Sequence, residues 1–384
     1  MPGLTSMDDL IDKMSSDGQT KRIDWNKNFL PTTAAVAGEW HSLFRGAGNP
    51  GADSVINTGT NLTFQQLKDT TTNATGIQHG GDVSPSYKNI VNASAFTAAV
   101  TTAPTVLMLV DLLGWYRVTS VTTTTAQSTT NTLFAFSNFT ADDTTDIITH
   151  TNINLMPYSK VQVSSTVTLP AGLSAATDYY VIKVTDTTCK LATSRANAVA
   201  GTAINITSTG TGTHTINTLL PRYTDGAGVQ AFFVNSNATA LGAATPNLSI
   251  GYTNSTDTAS RATPTVLPIG KTAAANGLIL YSGTGAGKYG PFMPLQAGDS
   301  GISSIQTIQN STSYVSGEYA VVLCKPLLTL PITTQGVAAE RDLVNQVPSL
   351  PRIYDGACLT WLMYSGAATP TNSAIAGHLD VVWS

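Results

Sequence analysis

Short apolar runs separated by turn-forming clusters recur along most of the chain. The runs "TVLMLVDLLGWY" (residues 105–116), "VQAFFVNS" (229–236), "NLSIGYTN" (247–254), "EYAVVLCKPLLTL" (318–330), "CLTWLMYSG" (358–366) and "HLDVVWS" (378–384) read as buried strands. Between them lie "NPGADS", "QHGGDVSP", "YTDGAGV", "SGTGAGKYG" and "QAGDSG", rich in the residues that accept turn geometry. In "DYYVIKVTD" (178–186), Tyr180, Ile182 and Val184 alternate with Tyr179, Val181 and Lys183, the period of a half-buried strand. "TCKLAT" follows as a hairpin partner, "RANAVAG" as a crossing turn, and "AINITS" and "THTINT" as further strands. "TTDIITHTN" and "SKVQVSST" supply two more upstream. Helical signals are few. Ser6 can cap a short helix with Asp9 three residues on and Leu10, Ile11 and Met14 on one face; residues 334–346 form the other candidate.

This pattern predicts an all-β protein, a jelly-roll-like antiparallel β-sandwich with a short N-terminal helix. The strand set of residues 133–217 is complete in itself and lies between "VTTTTAQSTTNT" and "LLPRYTDGAGV". It is expected to be a second, Ig-like β-sandwich inserted into a loop of a main domain built from 48–132 and 218–384, with 1–47 as a helix and arm. In that arm Trp25, Phe29, Trp40 and Phe44 are large anchors amid weak periodicity. They suit either an interface with a partner or the protein's own core.

Composition narrows the function. Of 384 residues only 11% are charged, against 42% hydrophobic, and the net charge is -4. The chain can bury a core, and no basic run exists to displace counterions from nucleic acid. The first residues are acidic where a secretory signal would be basic, and the longest apolar run is too short to span a membrane and contains Asp111. A soluble protein made in the cytoplasm is therefore expected. Cys189, Cys324 and Cys358 make no framework and no C-x-x-C pair, so buried thiols are the simpler reading, although a Cys324–Cys358 bridge is conceivable.

Catalytic and metal motifs fail on inspection. In "SGTGAGKYG" a tyrosine follows Lys288 where a phosphate loop needs Ser or Thr, and prolines follow where a helix should start. His41, His79, His150, His214 and His378 show no zinc spacing. Asp142, Asp143 and Asp146 lack the spacing of a calcium loop. Glu39, Glu318 and Glu340 are the only glutamates and are far apart in the chain. No catalytic residue, metal or cofactor is implied.

Two resemblances add to this. "LPAGLSAATDYYVIKVTDTTCKLATSRANAVAGTAINITSTGTGTHTI" is similar to a small β-sandwich module of tailed-bacteriophage virion proteins. The flanking segments "DWNKNF", "GEWHSLF", "HGGDVSP", "PTVLMLVDLLGWY", "LPRYTDGAGVQAF", "YGPFMPLQAGDSGI", "LCKPLLTLPITT", "AERDLVNQVPSLPRIYDGACLTWL" and "VVWS" resemble phage structural proteins. The resemblance implies a virion component, ranked first as a capsid decoration or cement protein bound to the phage major capsid protein. A homo-oligomer, by fold analogy a trimer, is expected on the capsid surface. A tail or head-fibre protein whose residues 133–217 meet a host-surface glycan ranks second. The shell protein itself and a glycan-active enzyme rank lower. Neither nucleic acid nor membrane is expected as a partner.

Overall fold

The computed structural model describes residues 4–28, 38–56, 58–69, 76–97, 105–235, 241–242, 246–264, 279, 290–346, 349–366 and 373–384. Strand Thr105–Val118 is its spine. Ten of its positions in unbroken or alternating series are apolar, so the strand is buried over nearly its whole length. It pairs along its length with Tyr319–Ile332, whose partners run from Val118 to Thr105. Gln230–Val234 extends this central sheet on one side, and Leu359–Ser365 with Glu39–Ser42 on the other. Phe64–Gln66 also pairs with the spine. It lies so close that a Cβ on Gly114 would sit 2.4 Å from the Gln65 carbonyl oxygen, so only glycine fits there.

Two further sheets cover the central one. The first runs Ala339–Asp342, Lys88–Thr97, Ala374–Trp383, Thr20–Asn28 and Gly48–Asn49. Its Ile23, Trp25, Ile90, Leu379 and Val381 share a core with Leu107, Leu109, Leu330, Trp361 and Met363 of the central sheet. The second runs Arg261–Ala262, Leu248–Asn254, Ile302–Asn310 and Gln127–Ser128. Its Ile250, Ile305 and Ile308 share another core with Val110, Leu112, Phe232, Val322 and Leu362. The protein is thus all-β, with antiparallel sheets packed face to face as the strand pattern predicted.

Residues 134–218 form a separate closed barrel. Its strand order is Lys160–Ser165, Tyr179–Lys183, Thr188–Ala192, Ile148–His150, Phe134–Ala141 and His214–Thr218, which pairs back to the first. The expected sandwich is replaced by a barrel because Gln162 to Ser165 pair with Asn217 to His214, joining the two edges that a sandwich leaves open. Its interior holds Phe139, Ile148, Val161, Val163, Val181, Leu191 and Ile216 and shares no residue with the body's cores. Phe134 and Thr218 are ladder partners, so the two ends of the insert leave the body side by side.

Three local readings change. "RANAVAG" is a helix, Arg195–Ala200, with the Ser194 side chain capping Asn197 N and Gly201 left-handed at its end. "AINITS" forms no ladder. Residues 334–346 split into a strand, Ala339–Asp342, and a single helical turn, Leu343–Gln346. Pairing of residues 339–342 with 92–95 outweighs the weak helical pattern. The three cysteines are buried and free, so Cys324 and Cys358 form no bridge. The N-terminal helix, Met7–Ser15, is as read, with Ser6 Oγ accepting from Asp9 N at 3.0 Å.

Candidate functional site

Trp25, Trp40 and Phe44, three of the four residues proposed as interface anchors, lie inside the protein. Trp25 is 2% exposed, and its ring sits 5.1 Å from that of Trp361. It belongs to strand Thr20–Asn28, which pairs over its full length with 374–382. Trp40 lies 5.6 Å from Tyr364, and Phe44 is fully buried. Phe29 lies outside the described residues. An arm that gains order from a partner is corrected here to an integral strand: these rings already bury in the chain's own core the area an interface would need. Strand alternation is partly disguised in the sequence because Lys27 takes the inward position after Ile23 and Trp25. Its Nζ donates to the carbonyls of Gly46 (3.0 Å) and Gly51 (2.8 Å), and burial pulls its pKa down to about 8.

The exposed apolar surface near the N-terminus lies elsewhere. Met7, Ile11 and Met14 follow one another at i, i+4 and i+7 on the N-terminal helix, and all three are exposed. Leu10, on the adjoining face, is buried against Val91 and Val382.

At the middle of the spine, where its pairing with Tyr319–Ile332 shifts register, Asp111 meets Arg222. Both side chains are fully buried. Arg222 Nε and Nη2 donate to the two Asp111 oxygens at 2.8 and 2.6 Å, Nη2 also donates to Leu112 O at 2.7 Å, and Nη1 to Leu67 O at 3.2 Å. Asp111 also accepts from Cys358 N at 2.9 Å. Burial alone would lower the guanidinium pKa, but the Asp111 carboxylate outweighs it and the net shift is upward. Arg222 sits just past the last barrel strand, so this pair pins the chain leaving the insert into the body's core. The next residues hold the barrel itself: Thr224 Oγ1 accepts from Met156 N at 3.0 Å and lies 2.7 Å from Ser159 Oγ. Tyr87 donates to Asp186 at 2.6 Å, and Lys160 pairs with Asp257 at 2.8 Å. These contacts of the barrel with the body are polar, while Phe134 at the barrel's entry packs on Phe64 of the body.

Between barrel and body lies a cleft of about 520 Å³. The body contributes Lys68, Asp69, Asp82, Ser84 and Asp355, and the barrel Phe136, Asn152 and Asn154. Two turns distant in sequence are laced together there. Asp82 accepts from Gly356 N at 2.8 Å, while Asp355 accepts from Val83 N at 3.2 Å and from the Ser84 hydroxyl. Asp69 accepts from Gln78 at 2.9 Å, but burial wins and raises its pKa to about 6. Behind it, burial and then the Lys88 charge lower His79 to about 4, and Lys88 Nζ lies 3.2 Å from His79 Nδ1. Asn154 is 2% exposed, and its Oδ1 has no hydrogen-bond partner. The sequence marked "QHGGDVSP" as a turn and as one of the resembling segments, but no spacing links it to "YDGA" about 270 residues later.

Among the described residues no three His, Cys, Asp or Glu side chains gather as a metal site, and no helix is long and apolar enough to cross a membrane. Asp142 is a loop residue whose Oδ1 accepts from Thr144 N (2.7 Å) and Thr145 N (3.1 Å), and Asp146 reaches instead to Ile206 N. "SGTGAGKYG" lies, except for Gly290, outside the described residues.

No family model matches the chain, and no curated protein matches it. Among solved structures it is similar to the infectious bursal disease virus VP2 subviral particle, at 11% identity over 79% of this chain and 84% of that one, with a TM-score of 0.14. A likeness that weak carries no argument about fold or function.

Proposed function

We propose that the protein is a structural component of a phage virion, a decoration or cement protein bound to the outer surface of the major capsid shell. The observation that carries this reading is the architecture. A low-charge body of stacked sheets, with fully buried cores and an ion pair locked at its centre, carries a second, separately closed barrel at its side. Such a body suits a part that must persist outside a cell, and the segment resemblances to phage structural proteins point the same way. The contact with the shell passes from the buried aromatics to the exposed Met7, Ile11 and Met14 stripe of the N-terminal helix. A homo-oligomer, by analogy a trimer, remains part of the proposal.

The test is co-sedimentation of the purified protein with shells of the encoding phage that lack it. Saturable binding, lost when Met7, Ile11 and Met14 are all replaced by Asp in a protein that still folds, supports the reading. Failure of the unaltered protein to bind would refute it. The runner-up, a tail or head-fibre protein whose barrel meets the host surface, predicts instead that the protein labels tails or fibres in virion micrographs.

A further inference from the structure

The cleft between barrel and body has a composition that assembly does not explain. Its walls present Asp69, Asp82 and Asp355 from the body and Asn152 and Asn154 from the barrel, with Phe136 beside them. The three carboxylates only accept hydrogen bonds at neutral pH. The body already uses one oxygen each on Asp82 and Asp69 and both on Asp355, so the second oxygens of Asp82 and Asp69 and the remaining lone pairs of Asp355 are left to face a ligand in the cleft. Asn154 adds an amide oxygen that is buried and has no donor. A buried polar atom without a partner is costly, and this one belongs to a residue that lines the cleft, where an incoming donor could meet it.

What supplies the donors follows from the shape. A metal ion needs its oxygens gathered around one point, and no three acidic or histidine side chains among the described residues are so gathered. Lys68 on the same wall also opposes a small cation. The acceptors are instead spread along a space of about 520 Å³, within the range of about 300–1,000 Å³ typical of small-molecule sites. A ligand with many hydroxyl donors spread over its length and an apolar face for Phe136 fits this wall. We propose that the cleft binds a neutral oligosaccharide, held by Asp69, Asp82, Asp355 and Asn154 across the junction of the two units. The proposal does not depend on where in a virion the protein sits, because it concerns the isolated chain.

The experiment screens the full-length protein on a printed array of neutral hexose and N-acetylhexosamine tri- and tetrasaccharides. The strongest binder is then titrated by calorimetry. Two variants follow. Asn154→Ala removes an amide oxygen that makes no bond in the protein, so its Tm should not fall. Asp69→Asn keeps the shape and the bond from Gln78. The expected result is saturable binding, weakened at least tenfold in each variant without loss of Tm and unchanged by EDTA. Three results overturn the proposal: no saccharide bound, affinity unaltered in both variants, or binding abolished by EDTA, which would mark a cation site.

Discussion

Replacing Arg222 with Met tests how the body is held together at its centre. The substitution keeps an apolar chain of similar length but removes four hydrogen bonds, two to Asp111 and one each to the carbonyls of Leu112 and Leu67. Asp111 is left as a fully buried charge that still accepts from Cys358 N. Stripping one partner from a buried ion pair costs about 3–5 kcal/mol, mostly for the uncompensated charge. At about 2 °C per kcal/mol for a large domain this is a fall in Tm of roughly 6–10 °C. Arg222→Met with Asp111→Asn removes the stranded charge but leaves the two carbonyls without donors. It should recover at least about 1 kcal/mol relative to the single variant, without reaching the parent. Calorimetry and urea unfolding at pH 7 measure both. A single variant that loses less than about 1 kcal/mol, or a double variant no more stable than the single, would show that the pair does not anchor the fold.

Four other outcomes follow from the same structure. Removing residues 1–47 should give an aggregated protein by size-exclusion chromatography, because 20–28 form a sheet strand; Trp25→Ala alone should cost about 3–5 kcal/mol in chemical unfolding. A soluble, cooperatively folded truncation would contradict this. Excising 133–217 and joining Thr132 to Thr218 should leave a body that unfolds cooperatively in calorimetry, since the insert's core is its own and its ends lie side by side. A molten body would show that the polar contacts of Thr224, Asp257 and Tyr87 matter more than the separate cores. Native protein should show no fast-reacting thiol with Ellman's reagent and three after denaturation, because all three cysteines are buried, and burial pushes Cys189 up to about 12. Stability should fall as pH drops from 7 to 4. Burial holds His41 near about 3 and His79 and His150 near about 4, so the unfolded chain takes up protons that the folded one refuses. Asp69, raised to about 6, works the other way but is one group against three. A Tm independent of pH over this range would contradict the burial of these rings.

The strands read from 105–116, 229–236, 247–254, 318–330, 358–366 and 378–384 were legible because each is a local apolar run, and Thr105–Val118 is buried nearly throughout as its composition requires; Lys88–Thr97 and Ile302–Asn310, whose runs are more polar, were not read. Within the insert, 133–217, the runs at Ile148–His150, Lys160–Ser165, Tyr179–Lys183, Thr188–Ala192 and His214–Thr218 were legible in the same way, whereas Phe134–Ala141 was not read as a strand and "AINITS" is not one. What decided its shape was not local. Closure rests on Lys160–Ser165 meeting His214–Thr218, about fifty residues apart, and no short-range signal reports that. Strand Thr20–Asn28 was misread because the buried Lys27 interrupts its apolar alternation, and only the carbonyls of Gly46 and Gly51 explain why a lysine is tolerated there. Asp111 looked like a break in an apolar run. It is instead half of an ion pair whose other half stands 111 residues away in the chain leaving the barrel. The acceptor-lined cleft was hidden too, since its walls come from two turns and a barrel that only the fold brings together.

A reconstruction of intact virions purified from the source of this sequence tests the proposed role most directly. It is predicted to show the stacked-sheet body at regular positions on the outer shell, the N-terminal helix against the capsid protein and the barrel beside the body. Virions of full infectivity that contain no copy of the chain would contradict it.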